Sequence, residues 1–269
     1  MSRKIDRTGE TNVSNEGCAM KIVEYNNNCD VIIEFQDEHK YRLHTNYQAF
    51  KKGNCKNPFY PSVYGHGYLG VDKNSNVLKT TELKEGKWHN IWEYNKWMNM
   101  LRRCFDNKYK EKESTYKDVI CCDKWLCFAN FLEDLEILKQ EYNWNVDEKL
   151  QLDKDILHKG NKIYSLKNCV LIPSWINLLF VKNDTKRGSY PVGVSYHKGA
   201  KKYEAQCNIN GKLKGLGYFI TPLEAFNAYK QAKENEIKRI ADECVLKGFI
   251  SKDSRLYNAM MGYQIKIDD

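Results

Sequence analysis

Two hydrophobic periods alternate along this chain. Residues 20–25, Met-Lys-Ile-Val-Glu-Tyr, place apolar and polar side chains in turn, three asparagines interrupt, and residues 30–35 resume the alternation. A period of two sends every other side chain to one face, so these residues predict a hairpin, with residues 41–44 as a third strand. The polar residues 1–16 predict a loose arm, and residues 72–86 a polar hinge. From Ile91 the period lengthens. Trp92, Trp97, Met98 and Leu101 recur at helical spacing up to Arg102-Arg103, residues 105–117 form a charged loop, and Trp125, Phe128, Phe131, Leu132, Leu135 and Leu138 predict a second amphipathic helix.

Residues 151–180 change character again. Leu152-Asp153-Lys154-Asp155-Ile156-Leu157 predicts a strand, His158 to Lys162 a polar turn, and Cys169-Val170-Leu171-Ile172 a second strand. Pro173 ends that strand and Ser174 caps a short helix over residues 175–180. A polar, basic linker covers residues 181–189. Three short strands follow at residues 192–196, 202–209 and 213–219, with Asn210-Gly211 as a hairpin turn. Thr221-Pro222-Leu223-Glu224 then reads as a capping box with proline at the first helical position. Ala225, Ala228, Tyr229 and Ala232 line one face of that helix, and Gly248 is its stop. Residues 255–263 predict a short last helix.

These elements predict an α+β chain: an N-terminal small β module with an arm (1–86), a helix-supported strand–loop–strand–helix unit (87–182), a C-terminal three-stranded antiparallel sheet plus helix (183–247), and a tail (248–269). At 269 residues there is room for two or three small cores. The net charge of +8 is what a partner of a polyanion carries, although solvated lysine faces produce it as well. Ten cysteines lack the spacing of a disulfide framework. Cys104, Cys121, Cys122 and Cys127 contain no C-x-x-C pair, so they read as buried thiols rather than zinc ligands. No run approaches the ~18 apolar residues of a membrane span, which predicts no membrane partner.

Carboxylate and amide oxygens gathered by residues 151–180 suit a hard divalent cation. The stretch resembles the HNH (ββα-metal) nuclease motif of phage and intron-encoded endonucleases. Asp153 matches that family's metal-binding acid, Gly160-Asn161-Lys162 its turn, Asn168 its central asparagine and Asn177 its helical ligand. The resemblance implies that Asp153 and Asn177 hold a divalent metal, magnesium or manganese, on a scissile phosphate, while Asn168 braces the loop that presents the base. Lys154 stands where the family has a general-base histidine. An amine of ordinary pKa ~10.4 is a poor base at neutral pH. Asp155 or His158 can serve instead, or metal-bound hydroxide without a dedicated base. The segment from Trp97 to Phe131 also resembles the one preceding such motifs; its Arg102, Arg103 and Lys124 either touch phosphates or are solvated helix ends.

The three last strands and their helix resemble the Apetala-two (ethylene-response-factor) DNA-binding domain. The matches are Gly193-Val194, Tyr203 with Ala205, Leu216-Gly217-Tyr218-Phe219, and Thr221 to Tyr229. Phage endonucleases commonly pair such a domain with an HNH unit, in this order. The resemblance implies that the exposed sheet face enters the major groove, with Ser195, His197, Gln206 and Asn208 facing DNA and Lys201, Lys202, Lys212 and Lys214 around them. The family tends to use arginines and a tryptophan there. Gln and Asn pair bidentately with adenine for ~1–3 kcal/mol each, whereas lysines hold phosphates without reading sequence. The bland alternative is a sheet-and-helix domain that binds protein.

Residues 17–70 resemble a small β module that recurs at the start of phage proteins, through Gly17, Met20-x-Ile22, Tyr25, Asp30, Phe35, Asn57-Pro58 and Pro61-Ser62-Val63. No activity accompanies that resemblance. Three functions stay open: metal-dependent nicking or cleavage of double-stranded DNA, DNA binding without catalysis as a regulator or shield, and a factor that binds and blocks a host or phage protein through the aromatic residues 58–68. The expected location is the cytoplasm, that of the host cell for a phage-encoded chain.

Overall fold

The structure, a computed structural model, describes residues 5–145, 149–180 and 190–268. The fold is mixed α+β, and the chain divides into two compact units, Met1–Leu135 and Glu136–Asp269. The expected boundaries at 86 and 247 fall inside these units, and that at 182 lies outside the described residues.

In the first unit, β1 (Thr11–Val13), β2 (Ala19–Asn27), β3 (Asp30–Phe35) and β4 (Arg42–Thr45) form one antiparallel sheet in that order. Met20, Ile22, Val31, Ile33 and Phe35 are fully buried on its inner face, joined by Phe50 from α1 (Tyr47–Lys51) and by Cys55. The alternation of the sequence is thus the alternation of core and surface. The N-terminal arm is partly a strand instead: Thr11 stands opposite Lys21, and Arg7 donates to Glu10 and Tyr47. A three-residue edge strand buries no side chain fully, so no apolar period marks it.

The polar hinge likewise contains a hairpin, β5 (Thr81–Lys84) and β6 (Lys87–Asn90). Its two-residue turn has both residues left-handed, Glu85 at φ 50° and Gly86 at φ 76°, as a type I′ turn requires. Next come α2 (Trp92–Phe105), α3 (Asn107–Lys112) within the expected charged loop, β7 (Ile120–Cys121) and α4 (Phe128–Gln140). Asp106 caps α3 by accepting from the Tyr109 amide, which starts a helix that has no buried face. Trp125 lies in a 3-10 turn before α4, not in the helix. Its indole donates to the buried Asp134 carboxylate at 2.7 Å, and Trp97 donates to the Trp125 carbonyl at 2.8 Å.

In the second unit, β8 (Leu150–Asp153) pairs with β10 (Val170–Pro173), Asp153 opposite Val170 and Pro173 opposite Leu150. β9 (Ile163–Tyr164) lies between them in sequence, and α5 (Ser174–Asn177) is one turn packed on β8 and β10. Residues 154–157 therefore leave the expected strand, and the expected helix stops at Asn177. β11 (Val194–His197), β12 (Lys202–Ile209) and β13 (Lys212–Phe219) form an antiparallel sheet with β12 central. A 25-residue helix, α6 (Pro222–Leu246), follows with the capping box in place, and α7 (Arg255–Met261) after it.

α6 serves two cores. Its first turns lie on the three-stranded sheet, where a side chain on Gly193 would meet the Tyr229 ring at 2.1 Å. Further along, Ile237, Ala241 and Cys244 join Ile156, Val170, Ile172, Ile176, Leu256 and Met260 in one buried cluster. The tail is docked too, since Lys230 donates to the Ile265 carbonyl and the Ile265 amide to Glu234. No helix among the described residues is long and apolar enough to cross a membrane.

Candidate functional site

Asp153 ends β8, where the chain turns away from its partner strand. One carboxylate oxygen, Oδ1, accepts the backbone N–H groups of Asp155 and Ile156, both at 2.8 Å. The other oxygen has no hydrogen-bond donor among the described residues. Burial pushes the Asp153 carboxyl above its ordinary range; the two backbone donors pull the other way, and the nearby Asp155 charge adds to the rise. One oxygen is thus fixed by the main chain, and its mate remains able to bind.

The next residue points inward. Lys154 is 5% exposed, and its ammonium donates to Asp155 at 2.6 Å and to the Asn161 carbonyl at 2.9 Å, 5.8 Å from the Tyr164 ring centre. Two of its three donors are engaged inside the loop, and Asp155 is engaged with them. His158 is exposed on the same loop, its ring without a partner among the described residues.

Asn161 is the residue that sequence reasoning took only as part of a turn. Its amide nitrogen donates to the carbonyls of Lys154 and Ile163, both at 2.9 Å, and its oxygen accepts from the Ile163 amide and from Asn168. The Asn168 nitrogen also reaches the Ile163 carbonyl at 3.3 Å. Two asparagines therefore belt the loop from 154 to 163. An asparagine beside a left-handed glycine, here Gly160 at φ 81°, was the available signal, because its amide can bond its own neighbourhood.

Arg255 fixes the approach to Asn168. It donates from two nitrogens to both oxygens of Glu141, and from the third to the carbonyls of Leu166 (3.0 Å) and Lys167 (2.8 Å). Nothing local in the sequence pairs positions 141 and 255. Asn177 is the half-buried last residue of α5, its amide without a partner among the described residues, while its neighbour Ile176 is fully buried. Asp153 and Asn177 thus stand on elements that pack together, each with an unengaged oxygen. A set of one carboxylate and one amide suits magnesium, which keeps several waters and takes substrate phosphate as a further ligand. Among the described residues, no three His, Cys, Asp or Glu side chains gather as a closed metal cage.

The three-stranded sheet presents one open face. Ala205 and Cys207 are buried on the α6 side, so Lys202, Glu204, Gln206 and Asn208 face outward from β12. Ser195 lies opposite Glu204, and His197 opposite Lys202, on that same outer face. Lys212 and Lys214 do not share it: they pair with Ile209 and Cys207, whose side chains turn to α6, so both lysines project from the opposite side at the sheet's edge. Lys201 is in the β11–β12 turn at φ 50°. His197 is tied locally, its Nδ1 accepting the Ala200 amide at 3.0 Å, with its ring 5.1 Å from that of Tyr218. Three outward residues were missed. Glu204 puts a negative charge at the centre, and the register adds Tyr218 (48% exposed) and Leu213 (70% exposed). A bulge between Ala205 and Gln206 shifts the register, and no residue type announced it.

The turn between β12 and β13 is anchored to α6. Glu236 accepts the Asn210 amide at 2.8 Å and two guanidinium bonds from Arg239, which hold its carboxyl below the usual range. In the first unit, the aromatic residues expected to contact a partner turn partly inward. Phe59 stacks on His39 at 3.9 Å beside Tyr41 and Tyr68, leaving Tyr64 40% exposed. Compared with protein-family models, curated proteins and solved structures, the chain matches none.

Proposed function

We propose that this chain binds double-stranded DNA and nicks or cleaves it with a divalent metal, magnesium or manganese, as an HNH-type phage endonuclease does. The observation that carries the reading is Asp153: a half-buried carboxylate with one oxygen held by two backbone amides and the other unengaged, at the mouth of a loop belted by Asn161 and Asn168. Asp153 and Asn177 would hold the ion, which supplies Lewis-acid stabilisation of charge on the phosphate. The belt fixes the loop. His158, exposed there, is of the side-chain type most used as a general base. The outer face of the three-stranded sheet, with Ser195, Gln206 and Asn208, would position the duplex, and the host cell cytoplasm is the compartment in which it would do so.

A second reading is favoured by one specific observation. The residue at the usual base position, Lys154, is buried and engaged by Asp155 and Asn161. A chain that keeps the loop but not the base would bind DNA without cutting it. Supercoiled plasmid incubated with the protein and Mg²⁺ or Mn²⁺ separates the two. Nicks that disappear in Asp153→Ala and Asn177→Ala, with duplex binding retained, support the enzyme. Salt-sensitive binding with no nicks supports the second reading. Absence of any duplex binding removes both.

A further inference from the structure

The β5–β6 hairpin is the most exposed regular element of the first unit: of residues 81–90, Glu82 alone is half-buried and the rest are exposed. Register sorts its side chains onto two faces. Thr81, Leu83, Trp88 and Asn90 share one, Leu83 directly opposite Trp88, and these two apolar side chains are 59% and 71% exposed. Glu82, Lys84, Lys87 and His89 share the other, with Lys84 directly opposite Lys87.

Both arrangements are costly for a hairpin on its own. A two-stranded ribbon is marginal in water without packing on either face, and an exposed tryptophan is uncommon on a surface with no partner. Like charges directly opposite each other on neighbouring strands repel. Glu82 relieves one of them, through an ion pair with Lys84 at 2.7 Å. Lys87 keeps its charge at the tip, and Lys79 stands exposed just before the hairpin. The left-handed Glu85-Gly86 turn holds that tip narrow.

We infer that this hairpin is a second DNA contact, a wing that enters a groove with Lys84 and Lys87 on the phosphates and Trp88 against sugar or base edges. A two-stranded ribbon has the width that a groove admits, apolar side chains act as wedges there, and a polyanion removes the repulsion between the paired lysines. This inference rests on the DNA-binding reading proposed above and adds a contact that no sheet residue supplies.

The test measures affinity of the full chain for a fluorescent duplex across a salt series. Replacing both Lys84 and Lys87 by Ala is expected to reduce the slope of log K against log salt by roughly 2, one counterion for each phosphate released. Trp88→Ala is expected to weaken binding roughly tenfold. Trp88→Phe keeps an aromatic ring in the hairpin and identifies the Trp88 contribution to fluorescence, which duplex should shield from acrylamide. Wild-type affinity and slope in the hairpin variants, with Trp88 still quenched by acrylamide in the complex, overturn the inference, leave the DNA-binding reading standing, and make the ribbon a protein-docking surface or a bare loop. Failure of the wild-type chain to bind any duplex overturns both.

Discussion

Lys154 and Asn161 hold each other reciprocally: the lysine ammonium donates to the asparagine carbonyl, and the asparagine amide donates to the lysine carbonyl, each at 2.9 Å. A side chain from each end of the loop thus satisfies the main chain of the other. Where a related loop would present a base, this one uses a cation as a brace.

Lys154→Met keeps the aliphatic stem and removes the charge. It is expected to leave the Asn161 carbonyl without its donor and to lower stability by about 1–3 kcal/mol. Any nicking measured below the melting temperature should keep its wild-type pH profile. A loss of the alkaline or neutral limb of that profile with unchanged melting would instead make Lys154 a catalytic residue.

Asp153 carries a pH signature of opposite sign to that of an ion-paired acid. Its folded-state pKa is raised by burial, so its contribution favours folding below the unfolded pKa and is lost as pH rises through the folded value. Asp153→Asn keeps an oxygen for the Asp155 and Ile156 amides and removes the buried charge. The variant should melt above wild type at neutral pH, with the difference closing in acid below the ordinary carboxyl value of ~3.9. Equal melting at neutral pH would show that the charge is not desolvated. The same substitution should abolish nicking, a trade of activity for stability expected of a functional acid.

Arg255 tests how the turn before Asn168 is held. Arg255→Met removes the pairing with Glu141 and both carbonyl bonds, at a cost of about 2–3 kcal/mol. Hydrogen exchange should rise first at the Asn168 and Cys169 amides, which bond within that turn to Ser165. Uniform exchange across the unit would show that Arg255 acts on global stability alone.

Gly193 adopts φ 75° with the Tyr229 ring against its α-carbon. Gly193→Ala adds both a left-handed penalty and a clash, together about 2–4 kcal/mol. In a Tyr229→Ala background only the backbone penalty of about 1–2 kcal/mol should remain. A double-mutant cycle from denaturant melts measures the difference, and strict additivity would refute the contact.

Legibility followed the size of the apolar signal. Met20, Ile22, Ile33 and Phe35 announced β2 and β3 because burial repeats every second residue; β1 and β5–β6 bury almost nothing, so their polar residues read as arm and hinge. Residues 155–157 carry the alternation of a strand but leave it, because the Asp153 carboxylate captures the next two free amides and bends the chain. Asp153, Asn168 and Asn177 were singled out from residue types in order. Asn161 and Arg255 were not, since one bonds to main chain and the other to a partner 114 positions away. The side on which Lys212 and Lys214 project depends on pairing with Ile209 and Cys207, which composition does not encode.

The two cores served by α6 set a ruler. From Ala225 at the three-stranded sheet to Ala241 in the cluster beneath Asp153's loop, the helix advances roughly 24 Å at ~1.5 Å per residue. A chain that cuts where it is told by that sheet would leave its break at a constant offset from the recognised bases, on the order of seven base pairs at ~3.4 Å each. Inserting whole helical turns into the middle of α6 should move the break outward in steps rather than blur it.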